Sequence, residues 1–283
     1  MFTLNCKGKL LTIEEPVVMG IINSTPDSFY QGSRKQSVDE VLFTAEKMIG
    51  EGVTILDVGG QSTRPGSAQV SEDEELKRVI PSIEMLARTF PGQIISVDSF
   101  YSTVAKHAIE AGASIINDVS GGGIDRNMFQ TIADLQVPYV LMHIRGKPAT
   151  MQSNPFYENV VTEVFDQLNF QVDQLRKLGV HDIIIDPGFG FGKTIAHNFR
   201  LLNDLLFFRK LGLPLMAGLS RKATVYKTLD CLPEEALNGT TVIHTIALMQ
   251  GADILRAHDV KEAMEAIKMV TAYKKEKEQP GLL

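Results

Sequence analysis

Asn23, Thr63, Arg64, Asp98, Asn117, Asp186, Ser220, Arg221, Lys222, Arg256 and His258 share one context: each stands at or just beyond the end of a short apolar run. Two chemistries can be sorted from them. Asp98, Asn117 and Asp186 supply acceptors and an amide, which suit a flat, nitrogen-rich heterocycle whose N–H edge needs acceptors. Arg256 and His258, with Asn23, suit a phosphate or diphosphate, because a guanidinium fork matches phosphate oxygens. Each residue taken singly has a plainer reading. An Asp at a strand end commonly caps a turn, Arg256 could pair with a barrel carboxylate, and His258 alone is a structural histidine. Asp57 and Asp118 read as structural, His143 and Met142 as pocket walls, and Gly121–Gly123 as a flexible connection.

What favours the functional reading is the element that delivers these groups. In IIIDPGFGFGK, Ile183, Ile184 and Ile185 suit a strand buried on both faces. Asp186 ends it, Pro187 stops the ladder, and Gly188, Gly190 and Gly192 make a loop able to approach a ligand, with Phe189, Phe191 and Lys193 alongside. The same strand-to-polar-end pattern begins at Val17, Val53, Ile94, Ser114, Tyr139, Leu213 and Asp253, giving eight strand–helix units without a linker. Ser37 with Glu40, and Ser71 with Glu74, form capping-box patterns that open helices, the first running to about Gly50. Residues 1–15 read as a β-hairpin plugging one end, and 274–283 as a frayed tail after a last helix ending near Tyr273.

Alternating β and α predicts a single α/β domain over residues 1–283: a (β/α)8 TIM barrel with an N-terminal β-hairpin. Such barrels place their chemistry at the C-terminal strand ends, with phosphate sites after the last strands. An open doubly wound sheet would need G-x-G-x-x-G after the first strand, and INSTPDS is not that.

Composition narrows the class. Asp and Glu outnumber Lys and Arg 34 to 28, which disfavours nucleic acid and anionic membranes as partners. The 2 cysteines, Cys6 and Cys231, have no metal-ligand spacing, and free thiols fit a reducing compartment. There is no membrane-length apolar run and no signal peptide, so the expectation is a cytoplasmic protein. No zincin spacing or G-x-S-x-G elbow appears, against a hydrolase of either kind. His107, His181, His197 and His244 fall on helices or before strands and read as surface or packing residues.

The motifs NSTPDSF, GGQSTRPG, MHIRGKPATMQ, DPGFGFGK, GLSRK and RAHDV, in this order, closely resemble the dihydropteroate synthase family of bacterial folate synthesis, over about residues 17–270. The resemblance implies a transferase that joins (7,8-dihydropterin-6-yl)methyl diphosphate to p-aminobenzoate, giving 7,8-dihydropteroate and diphosphate with Mg²⁺ assisting. It implies pterin binding by Asp98, Asn117, Asp186 and Lys222, and diphosphate binding by Asn23, Arg64, Arg256 and His258, with Asn23 as the metal ligand. It implies a p-aminobenzoate pocket of Thr63, Arg64, Pro65, Phe191 and Ser220, catalytic roles for Asp98, Lys222 and Arg256, a homodimer, and a sulfonamide target. The chain departs from the family pattern at Tyr30-Gln31-Gly32-Ser33 and at Ala223-Thr224-Val225-Tyr226. Two other readings rank below it: a folate-binding methyltransferase barrel, which gives no reason for STRPG and SRK, and an inactive pterin-binding barrel kept as a binding module.

Overall fold

The computed structural model describes residues 1–24, 31–61, 70–146 and 150–278. The chain opens with an antiparallel hairpin, β1 (Phe2–Cys6) and β2 (Lys9–Ile13). Eight parallel strands follow: β3 (Val17–Asn23), β4 (Ile55–Gly59), β5 (Ile94–Asp98), β6 (Ile115–Asp118), β7 (Tyr139–Met142), β8 (Ile183–Asp186), β9 (Met216–Ala217) and β10 (Ile254–Ala257). The hydrogen-bonded order runs β8-β7-β6-β5-β4-β3-β10-β9. A parallel bridge from Ile185 to Leu215 brings the two edges together. Helices α1 (Gln31–Gly50), α2 (Glu72–Thr89), α3 (Ser102–Ala111), α4 (Met128–Leu135), α5 (Val160–Lys177), α6 (Ile195–Asn203), α7 (Ala223–Tyr226), α8 (Leu237–Met249) and α9 (Val260–Glu278) come between and after them. This is the expected (β/α)8 barrel with its hairpin.

Period-two alternation decides what each strand turns inward. Met19, Ile55, Ile94, Ile115, Val140, Ile184, Met216 and Ile254, one per barrel strand, form a single apolar cluster with Leu4, Cys6, Leu11 and Ile13 of the hairpin. That cluster is the barrel floor, and the hairpin seals it as expected. Two residues further along the strands stand Asp57, Asn117, Met142, Asp186, Gly218 and Arg256; four along β5 stands Asp98. The same register that fixes the floor therefore aims these groups at the open end. The alternate residues, such as Val18, Leu56, Ile95, Ile116, Leu141 and Ile185, pack outward against the helices.

Four local expectations are corrected. Ser37 does not open α1, which begins at Gln31; a cap worth about 1 kcal/mol does not outweigh continued helical pairing. Ser71 does cap α2, accepting from Glu74 N at 3.3 Å. The seventh barrel strand is not Leu213–Leu219 but two residues, because Pro214 has no N–H and Leu215 N donates to the Asp253 carboxylate at 2.9 Å. The last helix does not end near Tyr273: α9 reaches Glu278, with Lys274 Nζ donating to Leu248 O at 2.8 Å; residues 279–283 lie outside the described ones. Gly121–Gly123 is no loose connection either. Asp118 accepts from Ser120 N and Gly122 N, each at 2.7 Å, and a Cβ on Gly121 would stand 2.5 Å from Met142 O.

Candidate active site

Arg256 sits at the centre of the open end. Its Nε donates to Asp57 Oδ2 at 2.7 Å and its Nη2 to Asp98 Oδ2 at 2.6 Å. Asp57 Oδ2 also accepts from Asn117 Nδ2 at 2.9 Å. One buried carboxylate thus orients both a cation and an amide that sequence had singled out. Asp57 was read as merely structural; the signal missed was a charged residue in the inward register of an otherwise apolar strand. Asp118, the other residue read that way, is structural: besides its two backbone donors it takes Tyr139 OH at 2.7 Å.

Asp186 leans on its own loop, accepting from Gly188 N through Oδ1 at 2.7 Å. Lys222 comes from the turn after β9. Its Nζ donates to Phe189 O at 2.6 Å and lies 4.7 Å from the Phe191 ring centre. A Cβ built on Gly218 would stand 3.5 Å from Lys222 Nζ, 3.7 Å from Asp186 Oδ2 and 4.0 Å from Arg256 Cβ. Groups 36 and 70 residues apart therefore converge on one spot, and a glycine beneath them leaves it open.

Ser220 and His258 form a second unit. The Ser220 hydroxyl accepts from His258 N at 3.2 Å and lies 3.0 Å from His258 Nδ1. A Ser220 hydroxyl that accepts from the backbone and donates to Nδ1 leaves the ring proton on Nε2. Desolvation and Arg256 push His258 down, so it is a neutral donor at the exposed mouth. Arg221 is not part of this group. It clamps Asp259 through two bonds of 2.8 and 2.9 Å and reaches Pro233 O and Glu234 O.

The electrostatics follow from burial among mixed charges. Burial pushes Asp98 up to about 7 although Arg256 opposes it; Asp57, Glu75 and Asp118 push the same way as burial. Burial also raises Asp186, against Lys222. Lys222 is pushed down to about 8 by desolvation, with Asp186 holding it up. Arg256 is held above its usual range by Asp57 and Asp98 against the cost of desolvation. The site thus pairs a fixed cation with a carboxyl poised near neutrality, the pattern expected of working groups.

Asn23 ends β3, exposed, beside Gly59 of β4. Phe191 packs with Phe100, Val119, Met142 and Met151, which makes an apolar wall next to Lys222. Thr63, Arg64 and Pro65 lie outside the described residues. His143 is not a wall residue, and Lys193 is not a charge offered by the loop; both are buried beneath it, with Lys193 Nζ 2.9 Å from His143 Nδ1. Among the described residues no group of three His, Cys, Asp or Glu side chains could hold a metal ion. A lone amide oxygen at Asn23 fits only Mg²⁺ that draws its other hard ligands from water and a bound substrate, which is the ion's habit beside phosphates.

The sequence model described as pterin binding enzyme matches residues 19–258. A dihydropteroate synthase of Escherichia coli strain K12 is 42% identical over 271 residues, covering 95% of each chain. A Yersinia pestis dihydropteroate synthase in complex with a sulfonamide drug superposes with a TM-score of 0.90 at 39% identity, over 97% of this chain and 100% of that one. The Xanthomonas albilineans dihydropteroate synthase in complex with 7,8-dihydropteroate gives 0.85 at 37% identity, over 98% and 100%.

Proposed function

The chain belongs to the pterin-binding enzymes, among the dihydropteroate synthases of folate biosynthesis, and on that premise we propose how its strand ends carry out the transfer. The substrates are (7,8-dihydropterin-6-yl)methyl diphosphate and p-aminobenzoate; the products are 7,8-dihydropteroate and diphosphate. The observation that carries this reading is the meeting of Asp98, Asn117, Asp186, Lys222 and Arg256 at one opening over a sealed floor. The comparison with a relative holding 7,8-dihydropteroate supports the same substrate class.

In this reading the acids take the heterocycle. Asp186 Oδ2 and Asp98 accept from its N–H edge, Asn117 presents its amide oxygen because its Nδ2 is engaged by Asp57, and Lys222 donates to a ring acceptor. Arg256 and His258 Nε2–H receive the diphosphate, with Arg64 joining from the second loop. Arg256 keeps unused N–H donors beyond the two given to carboxylates, so it can hold the leaving group while still anchored. As the carbon–oxygen bond breaks, positive charge spreads from the methylene into the ring, and Asp98 lies where it favours that charge. Asn23 would hold Mg²⁺, which when bound neutralises charge on the departing diphosphate.

The amine of p-aminobenzoate then attacks the methylene. An aromatic amine is unprotonated at neutral pH, so no base is needed to activate it, and the proton its nitrogen sheds as the C–N bond forms passes to water or the departing diphosphate. Phe191 gives its ring an apolar face, and Thr63, Arg64, Pro65 and Ser220 complete that pocket. Alignment of the two reactants supplies several kcal/mol of the barrier. Val242, Ile246 and Met249 on α8, with Met269 and Tyr273 on α9, are exposed on neighbouring helices. We assign that apolar face to a homodimer, which sedimentation at micromolar concentration would report as twice the chain mass; a monomer there contradicts it.

Incubation of the purified chain with both substrates and Mg²⁺ should yield dihydropteroate and diphosphate in equal amounts. Binding of the pterin without any product would instead favour a binding module, and methyl transfer to a folate would favour the methyltransferase reading.

A further inference from the structure

The mechanism above leaves Lys193 without a task, yet few side chains are held so closely. It is 2% exposed. Its Nζ lies 2.9 Å from His143 Nδ1, 2.9 Å from Gly188 O and 3.0 Å from Phe191 O. Three polar partners within 3.0 Å, with His143 O further out at 3.5 Å, satisfy the amine in either protonation state. An ammonium donates to all three. A neutral amine donates to the two carbonyls and accepts from an Nδ1–H. Burial pushes the amine well below the usual lysine range and His143 down to about 2, so the contact does not depend on charging the imidazole.

The geometry of the loop gives this contact a consequence. Gly188 (φ 72°) and Gly192 (φ 62°) lie flat against the preceding loop; a Cβ on the first would stand 1.8 Å from His143 O, and on the second 2.3 Å from Arg145 O. Between the two carbonyls that Lys193 grips stands Phe189, whose own carbonyl receives Lys222 Nζ. The second gripped residue, Phe191, carries the ring beside that same Nζ. Both features that place the Lys222 amine are therefore fixed by the residue beneath them.

We propose that Lys193 is a positioning residue for the transfer: by holding Gly188 O, Phe191 O and His143 Nδ1 together, it sets the Phe189 carbonyl and Phe191 ring that place Lys222 beside Asp186. The proposal rests on the reading of Lys222 and Phe191 given above. A core lysine that served stability alone would predict a different outcome, because replacing a buried cation with an apolar side chain can leave the working groups where they were.

The test is Lys193→Met in the full chain, checked for folding by circular dichroism. kcat/KM for the dihydropterin diphosphate, the substrate given to Lys222, should fall roughly 10- to 100-fold, as expected for groups misplaced by about an ångström. Pyrophosphate affinity, which depends on Arg256 and His258, should change by less than about two-fold. Lys222→Met and the double variant should lose about equally, because the first change acts through the second residue. Multiplying losses, or a lower melting temperature with unchanged kinetics per folded molecule, would overturn the proposal.

A readout free of substrate separates this from the functional reading. Acetylation of Lys222 by acetic anhydride, followed by peptide mass spectrometry, should quicken roughly ten-fold in Lys193→Met as the amine leaves Phe189 O. An unchanged rate refutes the positioning role even if the enzyme is active; an inactive wild-type chain with the quickened rate refutes the reaction and keeps the role. If Lys193→Met does not fold, Lys193→Gln, which retains two N–H donors, is read by the same measurements with the same decisive outcomes.

Discussion

Arg256 gives two of its N–H groups to Asp57 and Asp98. The sequence had offered two uses for it, diphosphate ligand or partner of a barrel carboxylate, and the structure shows the second. Sequence could not choose between them, since the pairing joins residues 199 and 158 positions apart. Asp98, Asn117 and Asp186 were legible because a polar residue closing an apolar run stands out; Asp57 was not, because it lies within one. Asp98 carries the prediction at this scale. Burial places its carboxyl at about 7, and its proposed work requires the carboxylate. Lowering the pH through 7 protonates it, so kcat/KM for the pterin should fall on the acid side, with any loss above about 8 belonging to Lys222 instead. In Asp98→Asn that acid limb should vanish and turnover should drop at least about 100-fold, as for lost electrostatic stabilisation. Pyrophosphate affinity, measured by calorimetry, should persist, since Arg256 is then freer to bind it. Parallel losses of turnover and pyrophosphate binding would contradict the role.

The strands act as a set of rulers. One buried residue from each of them builds the floor with the hairpin, and the next inward positions build the site. This much was legible, since apolar runs ending in polar residues at regular intervals specify strands and their C-terminal ends. What escaped was local. Leu213 and Leu219 looked like strand termini, but Pro214 and the side chain of Asp253 take the ladder away from that end. Lys193 read only as a charge alongside the loop, because spacing does not reveal that His143, 50 positions earlier, lies beneath it. The hairpin gives the prediction at this scale. Leu4 is 2% exposed in the floor, so Leu4→Ala should cost about 2–5 kcal/mol in urea unfolding. Because the floor is at the end opposite the site, KM for both substrates should stay within about two-fold. A large KM change without loss of stability would show that the floor and the site are not separate layers.

The whole molecule is a cup of acidic net charge, −6, with Arg256 and Lys222 among the acids at its open end. No described helix is long and apolar enough to cross a membrane. The relatives and the barrel agree on a folate-synthesis transferase, and the order of motifs made that family legible because the six of them come from six different strand ends, β3, β4, β7, β8, β9 and β10. The pocket for the aromatic amine was less accessible to argument, as Thr63, Arg64 and Pro65 lie beyond the described residues. The central claim is spatial: acids seize the ring while cations seize its leaving group in one cavity. The most direct measurement is a crystal structure with dihydropterin methyl diphosphate bound and p-aminobenzoate withheld. The account predicts the ring edge within hydrogen-bonding reach of Asp98, Asn117 and Asp186, and the diphosphate against Arg256 and His258. A ring seated elsewhere, or a diphosphate turned away from Arg256, would contradict it.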